Sequence, residues 1–131
     1  MSVGDLIQEI MQKHAEGIHF REWNAGPKID WNMKDQGFNI DIDLDPETGI
    51  IYGGNRYNCG TWMDKMGESD KAGNKGIPAT PRSGAPIELI GIQACMLQFL
   101  VDIDSRLFSY TGVTLKNSNF LSYKQWLKRL T

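Results

Sequence analysis

Apolar and polar positions alternate along this chain in several distinct rhythms, and each rhythm predicts a different element. Val3, Leu6, Ile7, Ile10 and Met11 recur at spacings of three and four, which places them on one stripe of an amphipathic helix over residues 2–16. Ser2 is suited to cap that helix and Gly17 to stop it. Residues 18–39, IHFREWNAGPKIDWNMKDQGFN, carry no helical period, and Gly26-Pro27 marks a turn. The prediction there is a long loop, of the kind that often forms a binding or lid element. Residues 40–52 alternate apolar with acidic, turn at DPETG and resume as IIYGG, which predicts a short β-hairpin with Gly49 in the left-handed conformation.

From Pro86 the rhythm changes again. The stretch PIELIGIQACMLQFLVDIDSRLFSYTG begins with a proline suited to a first helical position and a glutamate, Glu88, in the first turn. Between Ile87 and Ile103 it leaves almost no polar face, so the pattern predicts a helix over 86–104 that is buried on most sides, as in a larger helical assembly. Residues 113–120 read as a short strand or turn. SYKQWLKRL reads as the start of a further helix capped by Ser122, and its ending at Thr131 suggests a fragment.

Composition narrows the function classes. A chain of 131 residues with 40% hydrophobic content can bury one core. The formal net charge is −2 and the basic residues are scattered, which argues against nucleic acid or an anionic membrane as partner. No apolar run is long enough to span a bilayer and no signal-peptide core opens the chain, so a cytoplasmic location is expected. Cys59 and Cys95 are too few for a disulfide scaffold, and Cys59 reads as structural because no histidine stands near it to activate a nucleophile. His14 and His19 are too isolated for a metal site. Asp41, Asp43 and Asp45 have the opening spacing of a calcium loop, but Pro46 stands where the sharp turn needs glycine and Tyr52 where a closing glutamate belongs. No cofactor is expected.

The densest chemistry lies in NRYNCGTWMDKMGESD, residues 55–70. Asp64 and Glu68 are the carboxylates that could do acid or base work there, with Trp62 and the amides of Asn55 and Asn58 close in sequence. Sugars are held by aromatic faces stacked on ring C–H bonds and by amides and carboxylates that bridge paired hydroxyls. A solvated helix start with a tryptophan packed beneath it has the same composition, so composition leaves both readings open.

The segments NAGPKIDWNMKDQGFN, DPETGIIYGGNRYNCGTWMDKMGESDKAGNKGIPATPRSGAPIELIG and LSYKQWLKRL resemble, in order and spacing, the C-terminal glucosidase region of the eukaryotic glycogen debranching enzymes. The core TWMD and TPRSGAPIE also looks like the shorter signature of microbial amylo-alpha-1,6-glucosidases. The resemblance runs from about Gly17 to Leu130. It implies a mainly α fold, part of an α/α barrel of six helical hairpins with long loops and a short β-hairpin, C-terminal to a separate 4-alpha-glucanotransferase domain. It implies hydrolysis of the alpha-1,6-linked glucose at glycogen branch points, with glycogen or limit dextrin as substrate and the rest of the debranching polypeptide as structural partner.

The aspartate of the TWMD motif carries over to Asp64 as general acid; the general base is expected beyond Thr131. Glu68 is not assigned that role, because residues four apart on a helix lie side by side and cannot face each other across a sugar. Trp62 and Tyr57 are expected as hydrophobic walls that keep Asp64 protonated. Asn58, Arg82 and Glu88 are expected at the glucose subsite, although a salt bridge pinning its loop would equally explain Arg82, and a place at a helix start would equally explain Glu88. Glu22, Asn24, Asp30 and Asn32 either line the pocket or satisfy loop backbone. Trp23 and Trp31 depart from the family's polar pattern at their positions, and Gly112 to Phe120 is shorter than its usual counterpart. An inactive glycan-binding remnant, retaining a Trp62 pocket without hydrolysis, and a non-functional fragment are the alternatives.

Overall fold

The computed structural model describes residues 1–23, 38–55 and 65–131. Its elements are, in order, α1 (Val3–Glu16), β1 (Ile18–Glu22), β2 (Phe38–Leu44), β3 (Ile51–Gly53), α2 (Ile87–Asp102), β4 (Gly112–Thr114), β5 (Phe120–Ser122) and α3 (Tyr123–Leu130). Strands β1, β2 and β3 form one sheet in that order, and β4 and β5 pair as an antiparallel hairpin. The described residues thus hold three helices and two small sheets, which overturns the expectation of a mainly α architecture built from helical hairpins. The apolar rhythm of α2 dominated that expectation, while the strands are only three to seven residues long and leave a weak imprint on the sequence.

The chain divides into two units, one of Met1–Ile18, Asp43–Tyr52 and Ala85–Thr131, the other of His19–Ile42 and Gly53–Gly84. The first unit contains the apolar core. Helix α1 starts as predicted: the Ser2 hydroxyl accepts from the Asp5 N–H at 3.1 Å, and the Asp5 carboxylate accepts from the Ser2 N–H at 2.7 Å. These bonds, with one from the Tyr110 hydroxyl, hold the Asp5 carboxyl below its usual range, the Ser2 backbone bond contributing most. Met11 and Ala15 on its inner face pack with Leu97, Leu100, Phe108, Val113, Leu121, Tyr123 and Trp126.

Trp126 and Leu97 are fully buried, and the indole N–H of Trp126 donates to the Gly49 carbonyl at 2.7 Å. Gly49 has φ +73° as predicted, and a side chain there would meet the Trp126 ring at 2.9 Å, so both conformation and space demand glycine. The same carbonyl accepts from the Gln93 amide at 2.6 Å, while the Gln93 oxygen takes the Ile51 N–H at 3.3 Å. Helices α2 and α3 are thereby both tied to the hairpin turn. In that turn Asp45 accepts from the Glu47 N–H at 2.9 Å and the Thr48 hydroxyl at 2.8 Å, which lowers its carboxyl pKa, the Glu47 bond most. Asp43 pairs with Lys116. The acidic run therefore serves turns and ion pairs, and among the described residues no cluster of ligands suited to a metal forms.

Two amides of α1 finish the β4 edge. Gln12 donates to the Thr114 carbonyl at 2.8 Å and accepts its N–H at 3.0 Å, and Gln8 donates to the Gly112 carbonyl at 2.9 Å. Gln8 also accepts from the Tyr123 hydroxyl at 2.5 Å, yet burial dominates and pushes that phenol up to about 12. Because the folded protein holds this proton more tightly than the unfolded chain, whose tyrosine titrates near 10, the contribution of Tyr123 to stability is full below pH 10 and is lost as pH rises toward 12. Tyr123→Phe is expected to weaken that alkaline decline, read as the denaturant midpoint at pH 9 and pH 11.5 for both proteins; equal slopes would refute it.

Three local expectations need correction. Residues 18–22 form a strand, not a loop; Ile18 and Phe20 alternate with His19 and Arg21, but only pairing with β2 makes so short an alternation decisive. Pro86 caps α2 from outside with φ −64° and ψ 139°, its carbonyl accepting from Leu89 and Ile90. Helix α2 is not buried on most sides: Leu97 and Leu100 are buried, while Ile87 is 80% and Ile92 61% exposed. Cys95 is exposed on it as well. Among the described residues no helix is long and apolar enough to cross a membrane.

Candidate functional site

Asp64, Trp62, Asn58 and Tyr57 lie outside the described residues. So do Asn24, Asp30, Trp31, Asn32 and Cys59. The segment that follows Asp64 folds back on itself. Lys65 accepts from the Ala79 N–H at 3.2 Å, and Met66 bridges to Pro78 in antiparallel fashion. Gly67 donates to the Ile77 carbonyl at 2.9 Å and accepts from Gly76 at 2.9 Å. A side chain at Gly67 would meet the Asn74 carbonyl at 2.4 Å, so this close return of the chain requires glycine. Between these contacts, the Asn74 side chain accepts from the Ser69 N–H at 3.1 Å, and the Ser69 hydroxyl accepts from Ala72 at 3.0 Å. The backbone that follows the TWMD motif is thus folded directly against the start of the Pro78–Gly84 segment.

That segment carries Arg82. Pro78 to Ser83 line an open concavity of about 360 Å³. Arg82 is only 5% exposed, an unusual position for a guanidinium. Its loop is held at the far end by Gly84, which exchanges two backbone hydrogen bonds with Gly53 at 3.0 and 2.8 Å. A side chain at Gly53 would meet the Asp41 carbonyl at 2.6 Å. Two adjacent glycines in YGGN, which lack the context of a phosphate loop, therefore act in strand packing.

Glu88 belongs to the other unit. It is half-buried in the first turn of α2, where the helix dipole favours a carboxylate. Glu68 is exposed and follows Gly67 in non-helical backbone. Asn55 donates to the Asn39 carbonyl at 2.7 Å and so contributes to the β2 edge.

One group of side chains was not singled out from the sequence as a set. On the three-stranded sheet, His19 Nδ1 lies 3.0 Å from an Asp41 oxygen, and Arg21 donates to the Asn39 side-chain oxygen at 3.1 Å. The Arg21 guanidinium also stacks over the Trp23 ring, 5.3 Å from its centroid. The signal was the period-two spacing of positions 19, 21 and 23, interpretable only once β1 is known to be a strand.

A family model described as amylo-alpha-1,6-glucosidase matches residues 2–131. The glycogen debranching enzyme of Saccharomyces cerevisiae is 49% identical over 123 residues, or 93% of this chain. The chain spans 8% of the length of that relative.

Proposed function

The chain belongs to the amylo-alpha-1,6-glucosidase family, and on that premise we propose that it contributes the general acid and part of the glucose subsite to an enzyme that hydrolyses alpha-1,6-linked glucose at glycogen branch points. Asp64 protonates the departing glycosidic oxygen. Tyr57 and Trp62 shield that carboxyl from water and keep it protonated near neutral pH. Asn58, Arg82 and Glu88 bind hydroxyls of the glucose unit. The general base comes from a more C-terminal part of the complete enzyme, since Glu68 is too close along the chain to reach the opposite face of the ring.

The observation that best supports this reading is the pairing of Lys65–Gly67 with Ile77–Ala79, which brings the residues just after the first signature segment beside those just before the second. The second segment carries the buried Arg82. Its planar fork suits paired oxygens on a sugar as well as a carboxylate.

The stereochemistry of the product tests the mechanism. With a water between two carboxyls about 6.5–9.5 Å apart, displacement inverts the anomeric carbon. The complete enzyme acting on a branched oligosaccharide is then expected to release glucose first as the β anomer, followed in real time by proton NMR. Initial release of the α anomer would exclude the single-displacement arrangement.

A further inference from the structure

We infer that the turn of residues 67–76, locked by the contact of Gly67 with Asn74, positions the general acid, which makes Gly67 and Asn74 positioning residues that act through the backbone. The inference rests on the proposed role of Asp64, to which Lys65 is directly bonded. Lys65 accepts from the Ala79 N–H at 3.2 Å and Gly67 donates to the Ile77 carbonyl at 2.9 Å, which sets Met66 opposite Pro78. Two arms this short specify their register weakly by themselves, and a slip of one residue turns every side chain to the other face. Register matters here because one arm leads back into Asp64 and the other forward into Thr80 to Arg82.

The turn supplies the alignment that the arms lack. Asn74 bonds to both of its sides: the side-chain oxygen accepts from the Ser69 N–H at 3.1 Å, its own N–H donates to the Ser69 carbonyl at 3.2 Å, and its carbonyl accepts from the Ile77 N–H at 2.9 Å. The Gly76 N–H closes onto the Gly67 carbonyl at 2.9 Å. A Cβ on Gly67 would stand 2.4 Å from the Asn74 carbonyl oxygen and 2.5 Å from its side-chain Cγ, and the first of these is backbone that cannot swing aside. Residues 68–74 are exposed and take no part in the apolar core, so core packing does not account for so strict a demand for glycine. Placement of the acid does account for it. A general acid works within about 2.6–3.2 Å of the oxygen it protonates, and a misplacement of about 1 Å can cost on the order of 100-fold in rate.

Gly67→Ala in the complete enzyme, assayed on a branched oligosaccharide and on glucosyl fluoride, tests this. On the branched substrate kcat is expected to fall about tenfold or more with KM little changed, while turnover of the fluoride, whose departure needs little protonation, stays near the wild-type rate. Equal loss on both substrates, or no loss on either, overturns the positioning role. Asp64→Asn assayed beside it tells the failures apart: if Asp64→Asn separates the two substrates and Gly67→Ala does not, the positioning role alone falls, and if neither separates them the acid role of Asp64 falls with it. Separation by Gly67→Ala alone also overturns the inference, because the turn would then be placing an acid other than Asp64. Should Gly67→Ala fail to fold, Asn74→Ala and Asn74→Asp replace it. The aspartate keeps an oxygen for the Ser69 N–H and the alanine does not, so loss on the branched substrate in Asn74→Ala with recovery in Asn74→Asp supports the inference, and equal rates for the two variants refute it.

Discussion

Asp64→Asn in the complete enzyme is expected to lower kcat for release of 1,6-linked glucose at least about 100-fold while KM changes little, as befits loss of a general acid. The amide keeps the shape and the capacity to hydrogen-bond a glycosidic oxygen, so ground-state binding survives. It has no carboxyl proton to give, and the alkoxide leaving group must then depart unprotonated. Two further readouts separate this from a merely structural lesion. The alkaline limb of the pH–rate profile, set by deprotonation of the acid, is expected to vanish. A glucosyl fluoride, whose leaving group needs little protonation, is expected to remain a substrate. Full activity of Asp64→Asn on the branched substrate, or equal loss on both substrates, would remove Asp64 from the acid role.

For stability the largest effect is expected at Trp126. Trp126→Ala should destabilise the protein by about 3–5 kcal/mol, the range for emptying a large aromatic site in a packed core. Its ring is fully buried and touches the hairpin turn at Gly49, so the cavity opens between α3 and that turn. The indole N–H is lost too, leaving the Gly49 carbonyl to Gln93 alone. Against a typical total of about 5–15 kcal/mol, this is enough to bring the chain near its unfolding threshold. Urea denaturation followed by circular dichroism measures it. A shift below about 1 kcal/mol would mean that the site collapses around the gap or that the core does not depend on this ring. Trp126→Phe, which keeps most of the volume and removes the donor, divides the packing contribution from the hydrogen bond.

Much of this structure could be read from local chemistry. Ser2 and Ser122 announce helices because their hydroxyls can accept backbone N–H groups, and both form full capping boxes, with Asp5 and Gln125. Gly49 announces a turn because few other residues tolerate its backbone angle. The architecture was harder. The apolar run of α2 records how greasy the helix is but not what lies against it, and among the described residues Leu97 and Leu100 are the ones of this helix that are buried. Strand β1 was missed because five residues of alternation acquire meaning only beside β2, a partner some twenty residues away. At the candidate site, the sequence pointed to Arg82 through a motif, while its burial and the glycine bridge that holds its loop depend on contacts with Gly53 that no spacing rule contains.

Gln12 carries a consequence for how this protein keeps to itself. A two-stranded sheet has outward-facing backbone groups ready to recruit a strand from another molecule. On β4 those groups at Thr114 are already engaged by the Gln12 side-chain amide, which takes the place of one residue of a missing strand. Helix α1 therefore closes the β4 edge of the sheet, its glutamines occupying groups that another strand would otherwise use.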